Sequence, residues 1–570
     1  MLDLWYKNAI LYCIDVETYK DANGDGVGDF EGLTQRLDYI AGLGITCIWL
    51  LPFYPTPNKD NGYDVMDYYN VDTRLGTLGD FVEFTRQAND RGIRVIVDLV
   101  INHTSDQHPW FQAACKDENS KYRNYYVWSK EKPEDADEGI VFPGYQKSTW
   151  TYNPEAGAYY FHRFYDHQAD LNITNPQVRE EIQKIMGFWL ALGVSGFRVD
   201  AAQFLIEVRD NQAQLDVESP YHYLKEIRNF LSWRRGDAIL LAEANVSLEE
   251  LPKYFGDGDK MQMLFNFIVN QNLFLALARE KATPLVEALK AMPAIPETGQ
   301  WGHFIRNHDE LSLDKLSDAQ QNEIADAFAP DKEQMWIFDR GIRRRFAPMV
   351  DSDPRRLRLA YSLVLTLPGT PVINYGEELG MGDDLSLEER NSARTPMQWS
   401  SQPNGEFSPA PPRSTGASRH LGREIQLQAL ECRYLLEEGI TGNPDELKAE
   451  DLHSPALEIV QPYFEKAQQD VVNRYHELAG TGQTANTIQD VVPAAYYQRI
   501  ESLFVPVGVQ QWGLFNPGNS QVQLHQNHEP GDDDLMDFAA IHTLLNGGTV
   551  YAVELENIPD EALLVAVLRY

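Results

Sequence analysis

Short apolar runs recur along the first three quarters of the chain, with stretches of helical periodicity between them. Each run is five to eight residues long and contains β-branched or aromatic side chains, which is typical of strands. Runs that are apolar at almost every position indicate parallel strands covered on both faces. Helical spacing is clear over residues 77–92 and 175–193. The predicted strands are residues 9–15, 45–51, 94–100, 193–200, 238–243, 263–267, 303–307 and 371–375.

Eight strands that alternate with helices predict an α/β fold, a (β/α)8 TIM barrel rather than an open sheet. We assign the barrel to residues 1–103 and 171–406. The interval 104–170 after the third strand is too long for one loop and is rich in aromatic residues. Loops at this face usually build the pocket, so the interval predicts an inserted lid domain over the active site. A purely structural excursion is the alternative.

The sequence changes character after residue 404. Residues 407–418 are rich in Pro, Ser and Gly and are typical of a linker, and residues 481–487 form another. Residues 420–439 and 454–480 have helical spacing, so 407–500 is predicted to be a helical region. This region either completes the barrel, packs on it, or forms an oligomer or partner interface. Residues 501–570 predict a C-terminal β-rich domain.

Composition and charge limit the classes of molecule that the protein could bind. The formal net charge of −36 argues against nucleic acid and anionic membranes and suits a neutral substrate. The four cysteines have no CxxC spacing and are expected to be buried thiols. The N-terminus lacks a basic region followed by a long apolar stretch, and no run has the length of a membrane span. We therefore expect a cytoplasmic protein, with homo-oligomerisation left open.

Three acidic residues each follow a short apolar run: Asp200, Glu243 and Asp309. At the C-terminal ends of barrel strands, these carboxylates would meet in the active site. One such acid alone would more often be an ordinary polar strand end or an ion-pair partner. Three together, with Arg198 and His308 beside two of them, favour a catalytic site. Two carboxylates about 5–5.5 Å apart would be the nucleophile and proton donor of a retaining glycosidase.

The same residues predict how the site is charged. Arg198 is expected to keep Asp200 ionised at neutral pH, as a nucleophile must be. The third carboxylate is expected to raise the pKa of the proton donor Glu243 by like-charge proximity.

Residues 21–29, DANGDGVGD, place oxygen ligands at alternating positions. Hard oxygen ligands at this spacing suit Ca²⁺. An EF-hand is excluded because the twelfth position of such a loop would be Gly32 rather than Glu. A polar, Gly-rich turn without metal is the alternative. The predicted ligands are Asp21, Asn23, Asp25, the carbonyl of Val27, and Asp29.

Four motifs resemble the four sequence regions of the α-amylase superfamily, glycoside hydrolase family thirteen. They are DLVINHTSD (98–106), GFRVDAA (196–202), LLAEAN (240–245) and RNHDE (306–310), and they occur in the family's order. The resemblance covers roughly residues 5–404. It implies that Asp200 is the nucleophile, Glu243 the acid/base and Asp309 the stabiliser of the transition state. It also implies a set of substrate contacts, namely Tyr63, Asp64, His103, Phe197, Arg198, His308 and Arg394.

Two of these contacts indicate the substrate. GYDVMDY (62–68) contains Asp64, and RTPMQW (394–399) begins with Arg394. In family members that act on small α-glucosides, such an Asp and Arg clamp the non-reducing glucose and close the end of the pocket. A surface ion pair is the alternative. The resemblance therefore implies a pocket for one terminal glucose rather than an open polysaccharide cleft, and Ala201 resembles members that favour α-1,4 linkages.

Further segments are similar to the family members that interconvert maltose and trehalose, namely 102–111, 167–172, 300–314, 341–349 and 379–383. This resemblance implies a glucosyl unit held on Asp200 while the released glucose turns and attacks through its anomeric hydroxyl. The substrates would be small α-glucoside disaccharides, and no organic cofactor would be needed. Water must be excluded meanwhile, a task for the insert. The alternatives are an α-glucosidase and a non-catalytic glucoside-binding protein, the last disfavoured by the intact acidic trio.

The resemblance also implies a second calcium that ties the insert to the barrel. Its ligands would be Asn102, Asp170 and Glu207, with the carbonyls of Phe204 and Leu205. Residues 407–500 depart from the family's pattern: 420–439 would take the place of the last barrel helix, and 454–480 has no counterpart in the family.

Overall fold

The computed structural model describes residues 4–205, 221–400, 403–409, 466, 468–525, 532–553 and 555–569. The chain divides into two compact units, Met1–Ala429 and Leu430–Tyr570. Three of the cysteines, Cys13, Cys47 and Cys115, are buried free thiols as expected, and Cys432 lies outside the described residues. None of the helices in the described ranges is both long and apolar enough to cross a membrane.

The first unit contains a closed barrel of eight parallel strands, which confirms the predicted fold class. The first strand is hydrogen-bonded to the second and the eighth, so the sheet has no free edge. The strands are Leu11–Ile14, Cys47–Leu50, Arg94–Leu99, Gly196–Val199, Ile239–Ala242, Met263–Phe265, Gln300–His303 and Thr370–Asn374.

The seventh strand differs from its prediction, residues 303–307, because it runs over Gln300–His303. Residues 304–307 have already left the sheet, so Asp309 lies in a loop and does not directly follow a strand. Arg306 holds this loop, since its guanidinium donates to the carbonyl oxygens of Asp309 (2.5 Å) and Arg344 (2.8 Å). An apolar run alone could not distinguish this buried loop from a strand.

Successive barrel residues alternate between two cores. One set, including Leu11, Cys13, Leu241 and Met263, fills the barrel interior. The other set, exemplified by Tyr12, packs against the surrounding helices. Both sets are buried, and for this reason the strands have continuous apolar sequences.

Helices alternate with the strands and form the outer layer. The predicted helix over 77–92 is Leu78–Asp90, which begins with a capping box between Thr77 and Asp80. The predicted helix over 175–193 is Pro176–Ala191, whose first turn is capped by Asn175. The other barrel helices of at least five residues are Phe30–Gln35, Leu37–Gly42, His222–Arg234, Leu251–Phe255, Phe267–Arg279, Thr283–Ala291, Asp318–Phe328 and Pro354–Thr366.

The insert after the third strand has its own small sheet, with strands Trp128–Ser129, Trp150–Asn153 and Ala158–Phe161. A helix, Pro109–Lys116, packs beside it. A two-stranded ribbon, His103–Ser105 with Gln168–Asp170, pairs the beginning of the insert with its end. The insert therefore leaves the barrel and returns to it next to the C-terminal end of the third strand.

The second unit has a four-stranded mixed sheet with strands Thr484–Ala485, Ile500–Pro506, Thr549–Val553 and Val565–Leu568. A three-stranded sheet contains Trp512–Asn516, Gln521–Leu524 and Asp533–Asp534. Two helices, Ile488–Tyr496 and Leu535–Leu545, pack in the same core, so this part is α/β rather than purely β-rich. The predicted helix 454–480 is helical over 468–477, whereas the prediction for 420–439 falls outside the described residues.

Candidate active site

Arg198 is the centre of the site. Its guanidinium is fully buried and donates through Nη1 to Asp98 at 2.5 Å and to Asp200 at 2.6 Å. Through Nη2 it donates to Glu243 at 2.6 Å. Trp49 Nε1 fixes the other oxygen of Asp98 at 2.9 Å. Two of the three predicted catalytic carboxylates are thus held side by side on one cation.

The turn after the fourth strand braces these two carboxylates. Ala201, next to Asp200, has a φ of 48°, in the left-handed region that L residues adopt at a cost. In this conformation its N–H donates to Glu243 Oε2 at 3.3 Å. The N–H of Ala202 donates to the Glu243 carbonyl at 2.9 Å. The backbone of one strand end therefore positions the side chain of the next.

Burial raises the pKa of both Asp200 and Glu243 to about 7. Arg198 opposes this effect, while neighbouring carboxylates, Asp309 among them, add to it. The prediction that like charges raise the pKa of Glu243 is confirmed. Arg198 favours the ionised form of Asp200 as expected, but burial outweighs the arginine and leaves the pKa of Asp200 at about 7.

Asp309 is the most heavily paired of the three acids. Its Oδ1 accepts from Arg390 at 2.8 Å and from Arg394 at 2.9 Å, and His308 Nε2 lies 3.2 Å from Oδ2. Burial pushes the pKa of Asp309 upward, but the surrounding basic groups outweigh it and hold the pKa well below its usual range. Burial also lowers the pKa of His308 well below its ordinary value, so this ring is neutral near pH 7. The arginines therefore supply the charge that keeps Asp309 ionised.

Tyr63, His103 and His308 lie together on one side of the acids. The Tyr63 hydroxyl is 2.7 Å from His308 Nε2 and 3.4 Å from the Arg198 guanidinium, and the Tyr63 and His308 rings are stacked. His103 Nε2 lies 3.0 Å from the Tyr63 carbonyl oxygen. Burial lowers the pKa of His103 to about 4, so this imidazole is also neutral near pH 7. Neutral rings can exchange hydrogen bonds with sugar hydroxyls in either direction.

Phe197 does not face the site. It is fully buried and packs with Val199 in the core between barrel and helices. Side chains alternate along a strand, so the inward orientation of Arg198 turns Phe197 outward. The expected substrate contact of Phe197 is therefore wrong.

The predicted clamp between Asp64 and Arg394 is also wrong. The Asp64 carboxylate is fully buried and accepts from the Thr56 hydroxyl (2.9 Å), the Lys59 N–H (2.9 Å) and the Asp60 N–H (3.1 Å). Among the described residues it pairs with no arginine. Asp64 therefore stabilises the loop in which it lies, while Arg394 binds Asp309 as described above.

Asp60 takes the place predicted for Asp64. It accepts from Arg390 at 2.7 Å through Oδ1 and from Gln168 of the insert at 2.9 Å through Oδ2. Arg390 thereby bridges Asp60 and Asp309 across the site. The sequence analysis missed Asp60, Asp98 and Arg390, although each lies within or beside a motif that it quoted.

A cavity of about 290 Å³ lies on the outer side of these arginines, a volume at the lower end for small-molecule sites. Arg390, Arg394 and Asp60 form its inner wall, and Tyr145, Tyr165 and Glu389 are among its other lining residues. None of the three catalytic acids lines it. Arg390 thus lines this cavity and at the same time binds Asp309, which does not line it.

The 21–29 loop contains the predicted oxygen donors, and their hydrogen bonds are local except that Asp21 Oδ2 also accepts from the Ser408 hydroxyl at 2.6 Å. Asp21 accepts from the N–H groups of Gly24 and Gly26, both at 2.7 Å, and Asp29 accepts from that of Gly32 at 2.6 Å. Asn23 and Asp25 cap the next turns of the loop through their side chains. The donor set has the hard oxygens that calcium prefers. Over the ranges that the structure covers, however, no three acidic, His or Cys side chains are grouped to hold a metal, so calcium stays a prediction.

Four of the five residues predicted to bind the second calcium ion lie together. Asn102, Asp170, Phe204 and Leu205 line a common cavity of about 30 Å³ where the insert returns to the barrel. Asp170 Oδ1 accepts from the Arg163 N–H at 2.8 Å. The fifth predicted ligand, Glu207, lies outside the described residues.

Comparison with known proteins agrees with the barrel fold. Residues 14–418 match the family model of the α-amylase catalytic domain, so the chain belongs to the α-amylase family. A trehalose synthase of Thermus thermophilus is 46% identical over 72% of this chain and 42% of its own length. The trehalose synthase/amylase of Mycolicibacterium smegmatis is 42% identical over 72% of this chain and 69% of its own length. The chain thus spans less than half of the Thermus relative.

Among solved structures, the trehalulose synthase MutB of Pseudomonas mesoacidophila is similar at 29% identity, with a TM-score of 0.56. The match covers 72% of this chain and 78% of that one. Residues 421–499 match a second family model, that of bacterial archaeo-eukaryotic release factor family 3. This stretch lies within the predicted helical region 407–500, whose role in completing the barrel stays a prediction.

Proposed function

We propose that the protein is an intramolecular transglucosylase that interconverts maltose and trehalose with retention of configuration, with minor hydrolysis to glucose. The observation that carries the proposal is the pairing of Asp200 and Glu243 on the two guanidinium nitrogens of Arg198. The relatives named trehalose synthase support the choice of substrates, since they match over most of the barrel.

In the first step, ionised Asp200 attacks the anomeric carbon of the terminal glucose as the glycosidic bond breaks. Glu243, protonated, gives its proton to the departing oxygen. A covalent glucosyl ester on Asp200 and a free glucose result. The pKa values of about 7 for both groups suit this division, because the pair holds one shared proton near neutrality.

In the second step, the trapped glucose turns and presents its anomeric hydroxyl. Glu243, now ionised, removes the proton of that hydroxyl while its oxygen attacks the anomeric carbon of the glucosyl ester and displaces the Asp200 carboxylate. Each displacement inverts the anomeric carbon, so the α configuration is kept and no redox partner is needed. Attack by water in place of the sugar gives glucose, and the insert limits this side reaction.

The remaining residues hold the sugar. Asp309, kept ionised by its arginines, accepts hydrogen bonds from ring hydroxyls that strengthen as positive charge develops on the sugar. Tyr63, His103 and His308 contact the same glucose as neutral groups. Asp60 and Arg390 close the end of the pocket against longer chains.

An α-glucosidase is the second candidate function. Its support is the likeness to a glucan 1,6-alpha-glucosidase of Streptococcus pneumoniae, 31% identical over 72% of this chain and 78% of its own length. The catalytic trio would be the same, and only access of water would differ.

We also propose that calcium binds the 21–29 loop through Asp21, Asn23, Asp25, the Val27 carbonyl and Asp29. A second ion would bind where the insert meets the barrel, at Asn102, Asp170 and Glu207 with the carbonyls of Phe204 and Leu205. These ions would stabilise loops and would take no part in the transfer steps.

Incubation with maltose, followed by proton NMR, tests the function. Trehalose is expected to appear faster than free glucose. Glucose alone would reject the transglucosylase in favour of the α-glucosidase, and no consumption of maltose would reject both.

A further inference from the structure

Arg390 lies against a pair of contacting aromatic rings that come from different parts of the barrel unit. Its guanidinium carbon is 5.0 Å from the ring centre of Phe142, in the insert, and 6.0 Å from that of Phe338, in the loop after the seventh strand. The two rings are 4.7 Å apart. Such contacts orient a desolvated guanidinium and stabilise its charge. The bridge from Asp60 to Asp309 therefore depends on where the insert places Phe142.

A hydrogen bond joins the insert to the loop that carries Arg390. The Tyr165 hydroxyl donates to Glu389 Oε2 at 2.6 Å, and the Tyr165 ring stacks on Phe142 at 4.6 Å. Glu389, the residue before Arg390, has a φ of 49°, a left-handed conformation that the surroundings must hold. From the other side, Arg343 donates to the Glu389 carbonyl at 3.2 Å. The backbone at Glu389 is thus fixed on both sides.

A second contact ties the insert to the same region. The Val141 carbonyl accepts from Arg340, which also pairs with Glu310 at 2.8 Å. Glu310 follows Asp309 directly in the chain. Both ends of the bridge therefore respond to the position of the insert.

We propose that Tyr165 and Glu389 form a latch that holds Arg390 in the bridge between Asp60 and Asp309 and so sets the ratio of sugar transfer to hydrolysis. The latch rests on the proposed function, because transfer is the reaction that it protects. Tyr165 and Glu389 are positioning residues, since neither contacts a catalytic carboxylate in the described structure. Loss of the hydrogen bond frees the loop, lets Arg390 leave the bridge, and admits water to the glucosyl ester.

Product ratios from maltose test the latch. Tyr165→Phe and Glu389→Ala are each expected to raise the ratio of glucose to trehalose about three- to tenfold, the factor that one lost hydrogen bond typically brings. Because both changes remove the same bond, the double variant should match either single variant. Glu389→Gln should stay near the wild-type ratio, since its amide oxygen still accepts from Tyr165. Tyr152→Phe is the control, because Tyr152 is an exposed tyrosine of the insert whose hydroxyl forms no hydrogen bond within the described residues.

Hydrogen exchange supplies a readout that does not depend on the reaction. Amides of residues 383–394 should exchange faster in Tyr165→Phe than in the wild type, while the barrel strands stay unchanged. If the wild type makes trehalose and neither variant shifts the ratio, the latch is wrong and the proposed function stands. If the wild type makes only glucose, the proposed function fails and the exchange rates alone decide. Unchanged exchange over 383–394 would then overturn the latch.

Discussion

Arg198 donates to Asp200 at 2.6 Å from the same nitrogen that binds Asp98. The proposed nucleophile is thereby fixed on a buried cation that a second carboxylate anchors from behind. This arrangement sets the direction of the Asp200 oxygen atoms even without sugar.

Replacement of Asp200 by Asn should abolish turnover of maltose, because an amide cannot form the glucosyl ester. We expect kcat to fall by at least about 10⁴-fold, as for other enzymes that lose a nucleophile. NMR assays at high enzyme concentration measure the residual rate. The control is Asp38→Asn, which removes an exposed carboxylate paired with Arg91 on the surface. Residual activity above a hundredth of the wild type would remove Asp200 from this role.

The shared proton of Asp200 and Glu243 should give a bell-shaped pH profile of kcat/KM with its maximum near pH 7. Below the maximum, Asp200 takes up a proton and loses its nucleophilicity. Above it, Glu243 loses the proton that the leaving group needs. With α-glucosyl fluoride, whose leaving group needs no proton, Glu243→Gln should lose the basic limb and keep the acidic one. Glu287→Gln, an exposed change, should keep both limbs, and a flat profile in the wild type would contradict the assignment.

The same pKa values predict a pH-dependent gain in stability. The pKa of Asp200 rises from its ordinary value to about 7 on folding, so its ionised form disfavours the folded state. The cost is absent at about pH 3, where the acid is protonated in both states, and it is fully present above pH 7. Asp200→Asn should therefore melt at a higher temperature than the wild type at pH 8, and the difference should shrink toward pH 4. A lower melting temperature at pH 8 would show that the carboxylate stabilises the fold.

The orientation of the site residues at strand ends could be predicted from the sequence, because successive side chains of a strand point to opposite faces. Once GFRVDAA is a barrel strand with Arg198 inward, Asp200 must point inward as well, and Phe197 must not. The predicted substrate contact of Phe197 was wrong because the resemblance to the family motif took no account of this alternation. Glu243 follows Leu241 on the inward side of its strand in the same way.

The site residues that lie in loops could not be predicted from this alternation. Asp60 and Asp64 lie in one irregular loop, where no period tells which carboxylate faces the sugar and which binds the backbone. The same ambiguity applies to Arg390, in the short 3-10 segment Glu389–Ala393, and to Arg394, the residue directly after it. Only the folded loop shows that Asp60 meets Arg390, because the contact spans 330 positions of the chain.

Two substitutions separate the roles of Asp60 and Asp64. Asp60→Asn should lower kcat/KM for maltose about 10- to 100-fold, the usual effect of losing a hydrogen bond to a charged group, with little change in melting temperature. Asp64→Asn should instead lower the free energy of unfolding by about 1–3 kcal/mol, because its three local donors lose a carboxylate. Kinetics and thermal melts of the same two preparations are the measurement. A loss of kcat/KM in Asp64→Asn and a loss of stability in Asp60→Asn would instead support Asp64 as the residue that clamps the glucose.

Removal of calcium should destabilise the protein. A ligand at about 100 times its Kd adds about 2.7 kcal/mol to the unfolding free energy, so EDTA should lower the melting temperature and added calcium should restore it. Asp21→Asn should abolish that calcium-dependent shift, whereas Asp117→Asn, on the surface, should keep it. Elemental analysis should give two calcium ions for each wild-type chain and one for Asp170→Asn, if the second site is filled. A melting temperature that is unaffected by both EDTA and calcium would mean that the hydrogen bonds of Asp21 and Asp29 alone hold the 21–29 loop.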